Sequence, residues 1–132
     1  MGIETIMSKK VVTVDIDHPL SVVKEIFDYT RFHHLLVVES DILCGVISDR
    51  DLLKTISPNI GTAAETSRDI ETLNKRAHQI MTRQLVTLNP DAKIDDAIKI
   101  FNSHTISCIP IIDEQKKPVG IVSWRDILKY LG

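Results

Sequence analysis

The sequence has no long apolar run; nothing in it approaches the roughly 18 residues of a membrane-spanning helix. Aromatic residues are few, one Trp, two Tyr and three Phe in 132 residues, too sparse for a platform on which nucleic-acid bases stack. Charge of one sign is missing as well. Sixteen Lys and Arg stand against 18 Asp and Glu, a net charge of −2, whereas a general DNA or RNA binder needs a basic face to neutralise phosphates. Only two cysteines occur, Cys44 and Cys108. Their unrelated contexts point to free thiols in a reducing compartment. The N-terminus carries neither the basic start nor the apolar stretch of a secretory signal. A myristoylation motif wants Ser or Thr where Ile6 stands. These absences predict a soluble cytoplasmic protein with no nucleic-acid and no membrane partner. What is present is a 43% hydrophobic, 26% charged chain, enough to bury the core of one ordinary domain without disulfides or a metal.

The chain repeats itself. Ile6-Met7-Ser8 returns as Ile80-Met81-Thr82, an offset of 74 residues. At the same offset Val12-Thr13-Val14 becomes Val86-Thr87-Leu88, and Ile26-Phe27 becomes Ile100-Phe101. Then the offset slips by one. Gly45-Val46-Ile47-Ser48-Asp49-Arg50-Asp51-Leu52-Leu53 matches Gly120-Ile121-Val122-Ser123-Trp124-Arg125-Asp126-Ile127-Leu128. The slip falls between two apolar segments, where a hairpin turn absorbs a one-residue change. The division that follows is a first repeat over residues 1–60, a linker over 61–79 and a second repeat over 80–132.

Each repeat reads as β-α-β-β-α, an α/β chain of the α+β kind. Val11 to Val14 is short and β-branched, a strand, and its counterpart begins at Val86. Leu20 to Thr30 reads as a helix, with Asp17 or Ser21 near its start. In the second copy Ile94, Ala97, Ile98 and Phe101 fall on one helical face. Leu35 to Val38 and Ile109 to Ile112 read as buried strands that return through a turn into Gly45-Val46-Ile47 and Val119 to Val122. Ser48 and Ser123 then start a closing helix. Between the repeats, Ser57-Pro58-Asn59-Ile60-Gly61 breaks the chain direction. Thr66 and Asp69 have capping-box spacing. The stripe of Ile70, Leu73, Ala77 and Ile80 predicts a linker helix from about Ser67 to His78, lying against the repeats.

The sharpest chemical signal is the duplicated Gly-h-h-Ser-x-Arg-Asp, where h is apolar, at a strand-to-helix junction. Two readings are open. In one, the helix start faces a nucleotide: free N–H groups and the dipole favour phosphate, Ser48 and Ser123 offer hydroxyls, Asp51 and Asp126 accept from ribose hydroxyls, and Arg50 and Arg125 reach phosphate. In the other, Ser-x-x-Asp is only a helix cap. Elsewhere the signals are weaker. His33 and His34 are adjacent at a strand start, so they point to opposite faces and chelate one metal poorly; no metal site is expected. No local Ser-His or Cys-His pairing supports catalysis. Trp124, in the place of Asp49, reads as a surface residue or an aromatic wall, and Arg83 as a solvated cation or a phosphate contact.

Taken together, the motifs resemble a tandem of cystathionine-β-synthase (CBS) domains. The resemblance rests on Ile6-Met7-Ser8 and Ile80-Met81-Thr82, on Ile106-Ser107-Cys108-Ile109-Pro110-Ile111, and on both copies of Gly-h-h-Ser-x-Arg-Asp. It covers nearly the whole chain. Ser48 to Leu53 with Ser57-Pro58 is similar to stand-alone bacterial CBS proteins of the acetoin-utilisation type, without room for their extra C-terminal domain. The resemblance implies two repeats packed as a pseudo-two-fold module with clefts between them. It implies a regulatory role rather than an enzymatic one, no required cofactor, an adenine nucleotide (AMP, ADP or ATP) or other adenosyl ligand, and a homodimer paired through helices. It places Asp51 and Asp126 on ribose, and Phe32-His33-His34 and Ile106-Ser107-Cys108 around the base. The first copy departs from the pattern, with Leu36 where the second has Pro110, and with His33-His34 bulkier than Ser107-Cys108. A ligand-free dimerisation or scaffold module is the alternative.

Overall fold

A computed structural model describes residues 2–132 of the chain. The elements follow in the order β1 (Thr13–Asp15), α1 (Leu20–Tyr29), β2 (His34–Glu39), β3 (Ile42–Ser48), α2 (Asp49–Thr55), α3 (Ser67–Glu71), α4 (Ala77–Ile80), α5 (Ile94–Ser103), β4 (Cys108–Ile112), β5 (Pro118–Ser123) and α6 (Trp124–Leu131). Short 3-10 turns cover Ile3–Thr5 and Thr72–Asn74. The first repeat is thus β-α-β-β-α as its pattern predicts. β2 is the middle strand of a three-stranded sheet, with β1 parallel to it in the register Val14 to Val37.

In the second repeat the predicted first strand shrinks to a single parallel bridge between Leu88 and Ile111. The cause is Pro90. Its counterpart Ile16 donates its N–H to Val38 O at 3.1 Å and so extends the pairing of β1. Proline has no N–H to give. β4 and β5 form an antiparallel pair in which Cys108 lies opposite Ser123. Pro110 sits inside β4, and its carbonyl accepts from Leu88 N at 3.1 Å. The slip in the repeat is at the hairpin turns. Ser40 and Asp41, at φ 50° and 67°, close the first, the left-handed pair that a tight hairpin requires. In the second turn Lys116 is left-handed, at φ 64°, and Asp113 Oδ1 accepts from Gln115 N and Lys117 N.

The chain divides into two compact units that do not follow the repeats. Among the described residues, one holds 2–12, 41–43 and 84–132, and the other 13–40 and 44–83. The Ile-Met-Ser/Thr segment ahead of each repeat therefore packs within the unit of the other repeat. Ser8 and Ile121 exchange backbone bonds at 2.9 and 3.0 Å in the first unit, and Val46 and Thr82 at 3.1 and 2.9 Å in the second. Ile3, Ile94, Ala97, Phe101, Ile109, Ile111, Val122 and Ile127 form the core of one unit. Val14, Leu20, Val23, Leu35, Leu36, Val37, Ile47 and Ala77 are buried in the other.

Two local expectations are corrected by tertiary hydrogen bonds. α1 begins at Leu20 without a side-chain cap from Asp17 or Ser21; Pro19 is its N-cap, and Leu20 N donates to Lys75 O at 2.8 Å instead. The linker helix is not continuous. Thr66 and Asp69 form the expected capping box of α3, but Lys75 is extended, at φ −61° and ψ 154°. There the β1–α1 loop takes over the backbone groups a continuing helix would use: Ala77 N donates to His18 O and His78 N to Ile16 O.

Candidate functional site

Each closing helix starts on a reciprocal cap. Asp51 N donates to Ser48 Oγ at 3.0 Å, and Ser48 N donates to Asp51 Oδ2 at 2.9 Å. In the second copy Ser123 N donates to Asp126 Oδ2 at 2.8 Å and Asp126 N to Ser123 Oγ at 3.4 Å. The cap is therefore real in both copies. It does not exhaust the carboxylates, since an ionised carboxylate has about four acceptor positions and both caps use Oδ2.

Around Ser48 and Asp51 the fold assembles His33 and His34. Asp49 N donates to His33 O at 2.9 Å, and the His33 imidazole lies on Asp49 through Nδ1 at 2.9 Å from Oδ2. That bond holds the Asp49 carboxyl below its ordinary pKa. His34, the first residue of β2, is half-buried. Burial lowers its pKa, with the Asp49 and Asp51 carboxylates opposing and His33 adding to the fall. Asp49 is a member of this cluster that the motif reading passed over; its signal was its position between Ser48 and Asp51, facing the chain just before β2.

In the second copy the register of β4 and β5 sets Cys108 beside Ser123. Cys108 is buried, and burial pushes its thiol up to about 12, so it is a neutral packing group. Ile106 is half-buried and Ser107 exposed. Trp124 is 38% exposed and stacks on Phe101 with ring centroids 4.6 Å apart, so it is a partial surface residue that roofs the core. Arg50 and Arg125 are exposed. Arg83 is exposed, and its guanidinium donates to His78 O at 2.8 Å, within α4.

Asp51 also lines an open depression of about 430 Å3 with Lys54, Thr55, Lys75, Gln79 and Ile80. Arg50 is not among these residues. The sequence reading missed the two lysines. Lys54 is three residues after Asp51, on the same helical face, and was legible. Lys75 was not, because it arrives only through the break between α3 and α4. A smaller depression of about 260 Å3 involves Asp17, Glu39, Cys44, His78 and Arg83. Among the described residues no three His, Cys, Asp or Glu side chains converge on a metal position, and no helix is long and apolar enough to cross a membrane.

Comparison with known proteins gives these residues a context. The family model described as the CBS domain matches residues 3–58 and again 77–132. A CBS domain-containing protein of Dictyostelium discoideum is 30% identical over 131 residues, 98% of this chain and 90% of the relative. An uncharacterized protein of Methanocaldococcus jannaschii is 33% identical over 96 residues, 73% of this chain but 28% of the relative. The chain thus spans less than a third of that protein. Among solved structures, the CBS domain pair of protein MJ0100 in complex with 5′-methylthioadenosine and S-adenosyl-L-methionine superposes with a TM-score of 0.79 at 26% identity, covering 100% of both chains. A putative acetoin utilization protein from Vibrio cholerae shares the fold, with a TM-score of 0.79 at 20% identity, 99% of this chain and 90% of that one.

Proposed function

The chain belongs to the CBS domain family and carries two of its domains, and from that premise we propose that it is a regulatory module, not an enzyme, that binds adenosine-containing ligands such as AMP, ADP or ATP. The observation that carries this reading is the repeated junction. In each copy a half-buried carboxylate, Asp51 or Asp126, stands at the start of the closing helix, near the residues that lead into β2 or β4. His33 and His34 are those residues in the first copy, and Ile106, Ser107 and Cys108 in the second. Ribose hydroxyls need acceptors of this kind, and the capped carboxylates retain acceptor capacity. The full-length likeness to a CBS pair in complex with two adenosyl compounds supports the same ligand class. Such a ligand acts by population shift, favouring the arrangement of the chain it binds better. A thermal-shift and calorimetry panel of AMP, ADP, ATP, NAD and S-adenosylmethionine tests it. At about 100 times its Kd the right ligand stabilises the protein by roughly 2.7 kcal/mol. No heat and no stabilisation with any of them, at millimolar concentration with magnesium, would overturn it.

The second reading, a ligand-free dimerisation or scaffold module, is favoured by one observation. Tyr29, Leu53, Leu128 and Leu131 are 84%, 71%, 63% and 68% exposed, more apolar helix surface than a monomer needs to leave in water. We infer a homodimer under either reading, two-fold pairing being the commonest solution. Light scattering is expected to give twice the 14.9 kDa chain mass. A monomer mass at micromolar concentration counts against it.

A further inference from the structure

The depression beside Asp51 has a chemistry of its own. Its volume of about 430 Å3 lies in the range of roughly 300–1,000 Å3 for small-molecule sites. α2 supplies Asp51, Lys54 and Thr55, and the region before and within α4 supplies Lys75, Gln79 and Ile80. Part of the wall is held by hydrogen bonds. Lys75 is anchored through its carbonyl, which accepts from Leu20 N at 2.8 Å. Gln79 Oε1 accepts from Arg76 N at 2.6 Å, which leaves the Gln79 amide NH2 as a donor. The Thr55 hydroxyl donates to Asp51 O at 3.1 Å. Two lysines and one glutamine thus share the lining with a single acidic residue. The lining is cationic by one charge, in a chain whose net charge is −2.

Such a lining discriminates among adenosyl compounds by charge. A 5′-thioether brings no anion to the lysines, and S-adenosylmethionine brings one carboxylate accompanied by a sulfonium and an ammonium, so that it stays net positive. A phosphate brings one to two negative charges and acceptor oxygens for both ammonium groups. We propose that Lys54 and Lys75, with Gln79, form a phosphate subsite next to Asp51, so that the first-repeat junction selects phosphorylated adenosine ligands over uncharged or cationic ones. The proposal rests on the adenosine reading only for the nucleoside half of the ligand.

The test is calorimetry on the full chain with ATP, adenosine and inorganic tripolyphosphate. The wild type is compared with Lys54→Gln, Lys75→Gln, the double variant and Lys54→Arg/Lys75→Arg. Both lysines are exposed, so the variants should keep the wild-type melting temperature within a few degrees. Exposed charges are screened, so each Gln variant is expected to lose about 3- to 10-fold in ATP affinity and nothing in adenosine affinity. The Arg variant should retain ATP, and added salt should erode ATP binding but not adenosine binding. Equal affinity for ATP and adenosine, or equal losses of both in the Gln variants, overturns the subsite and leaves the adenosine reading standing. Adenosine without measurable affinity, together with tripolyphosphate binding that the double variant abolishes, overturns the adenosine reading and leaves the subsite standing. Absence of binding by all three compounds overturns both.

Discussion

The side chain of Met81 lies directly on the α-carbon of Gly45: a Cβ added there would meet Met81 Sδ at 2.5 Å, Cγ at 2.7 Å and Cβ at 2.9 Å. Met7 covers Gly120 in the same way, with Sδ at 2.5 Å but Cγ at 3.1 Å and Cε at 3.2 Å. The two contacts are the repeat seen twice, a methionine from the leading segment resting on the glycine of the third strand. They differ in how they can give. Met7 can swing its thioether aside. Met81 is too close at its own Cβ, so its backbone must move. Gly45→Ala is therefore expected to cost about 1–3 kcal/mol, and Gly120→Ala about 0.5–1.5 kcal/mol, the cost of an off-rotamer side chain. Urea denaturation of both variants checks the order; equal losses would refute it.

Asp51 and Asp126 are each asked to do two things, and one substitution separates them. Asp126→Asn keeps a side-chain oxygen to accept from Ser123 N, so the helix start survives, within about 1 kcal/mol of wild type. It loses the charge that strengthens bonds to ribose hydroxyls, worth roughly 1.5–3 kcal/mol, a 10- to 150-fold fall in affinity. Asp126→Ala should lose both. If Asp126→Asn binds nucleotide as the wild type does, the carboxylate is a cap and nothing more. Asp126 is expected to matter at least as much as Asp51, because its junction is free of the His33-His34 bulk.

His34 should make the protein acid-sensitive. Its folded pKa is lowered by burial, so the unfolded chain, at about 6.5, binds the proton more readily. Stability is then fully present above about pH 6.5 and is lost as pH falls through the lower folded value. The groups acting on His34 are Asp49 and Asp51, which oppose the shift, and His33, which adds to it. His34→Gln should flatten the stability profile below about pH 6.5. An unchanged slope in that variant would assign the acid sensitivity elsewhere.

A chain ending at Ile60 should not fold on its own. It would lack Ala77 and Met81, which are buried against the first repeat's residues, and Thr82, whose backbone pairs with Val46 at 2.9 and 3.1 Å. Removing such groups leaves cavities and an unpaired strand. The expected spectrum is that of an unfolded or self-associated species. A dispersed monomeric spectrum from residues 1–60 would contradict this.

What the amino-acid sequence determined by itself is what short-range physics controls. The duplication is legible residue by residue. So are the types of α1, α5, β2, β3, β4 and β5, because burial on one face imposes its period on the sequence. The caps at Ser48, Thr66 and Ser123 are legible too, since an N-cap and its N3 partner lie three residues apart. Even the loss of a strand at Leu88 had its sign in Pro90, whose missing N–H is a local fact. Only the tertiary structure decided which copy each leading segment would cover. Ile6-Met7-Ser8 and Ile80-Met81-Thr82 carry the same pattern, and a pattern does not state its partner; the pairing of Ser8 with Ile121 and of Thr82 with Val46 is a choice between two similar strands. The break at Lys75 is of the same kind. The local sequence favours a continuous helix, but the carbonyls of Ile16 and His18 and the N–H of Leu20 need partners once β1 and α1 are packed, and they take them from the linker. That break delivers Lys75 to the depression beside Asp51, so the charge of the candidate site is set by hydrogen bonds between residues more than 50 positions apart.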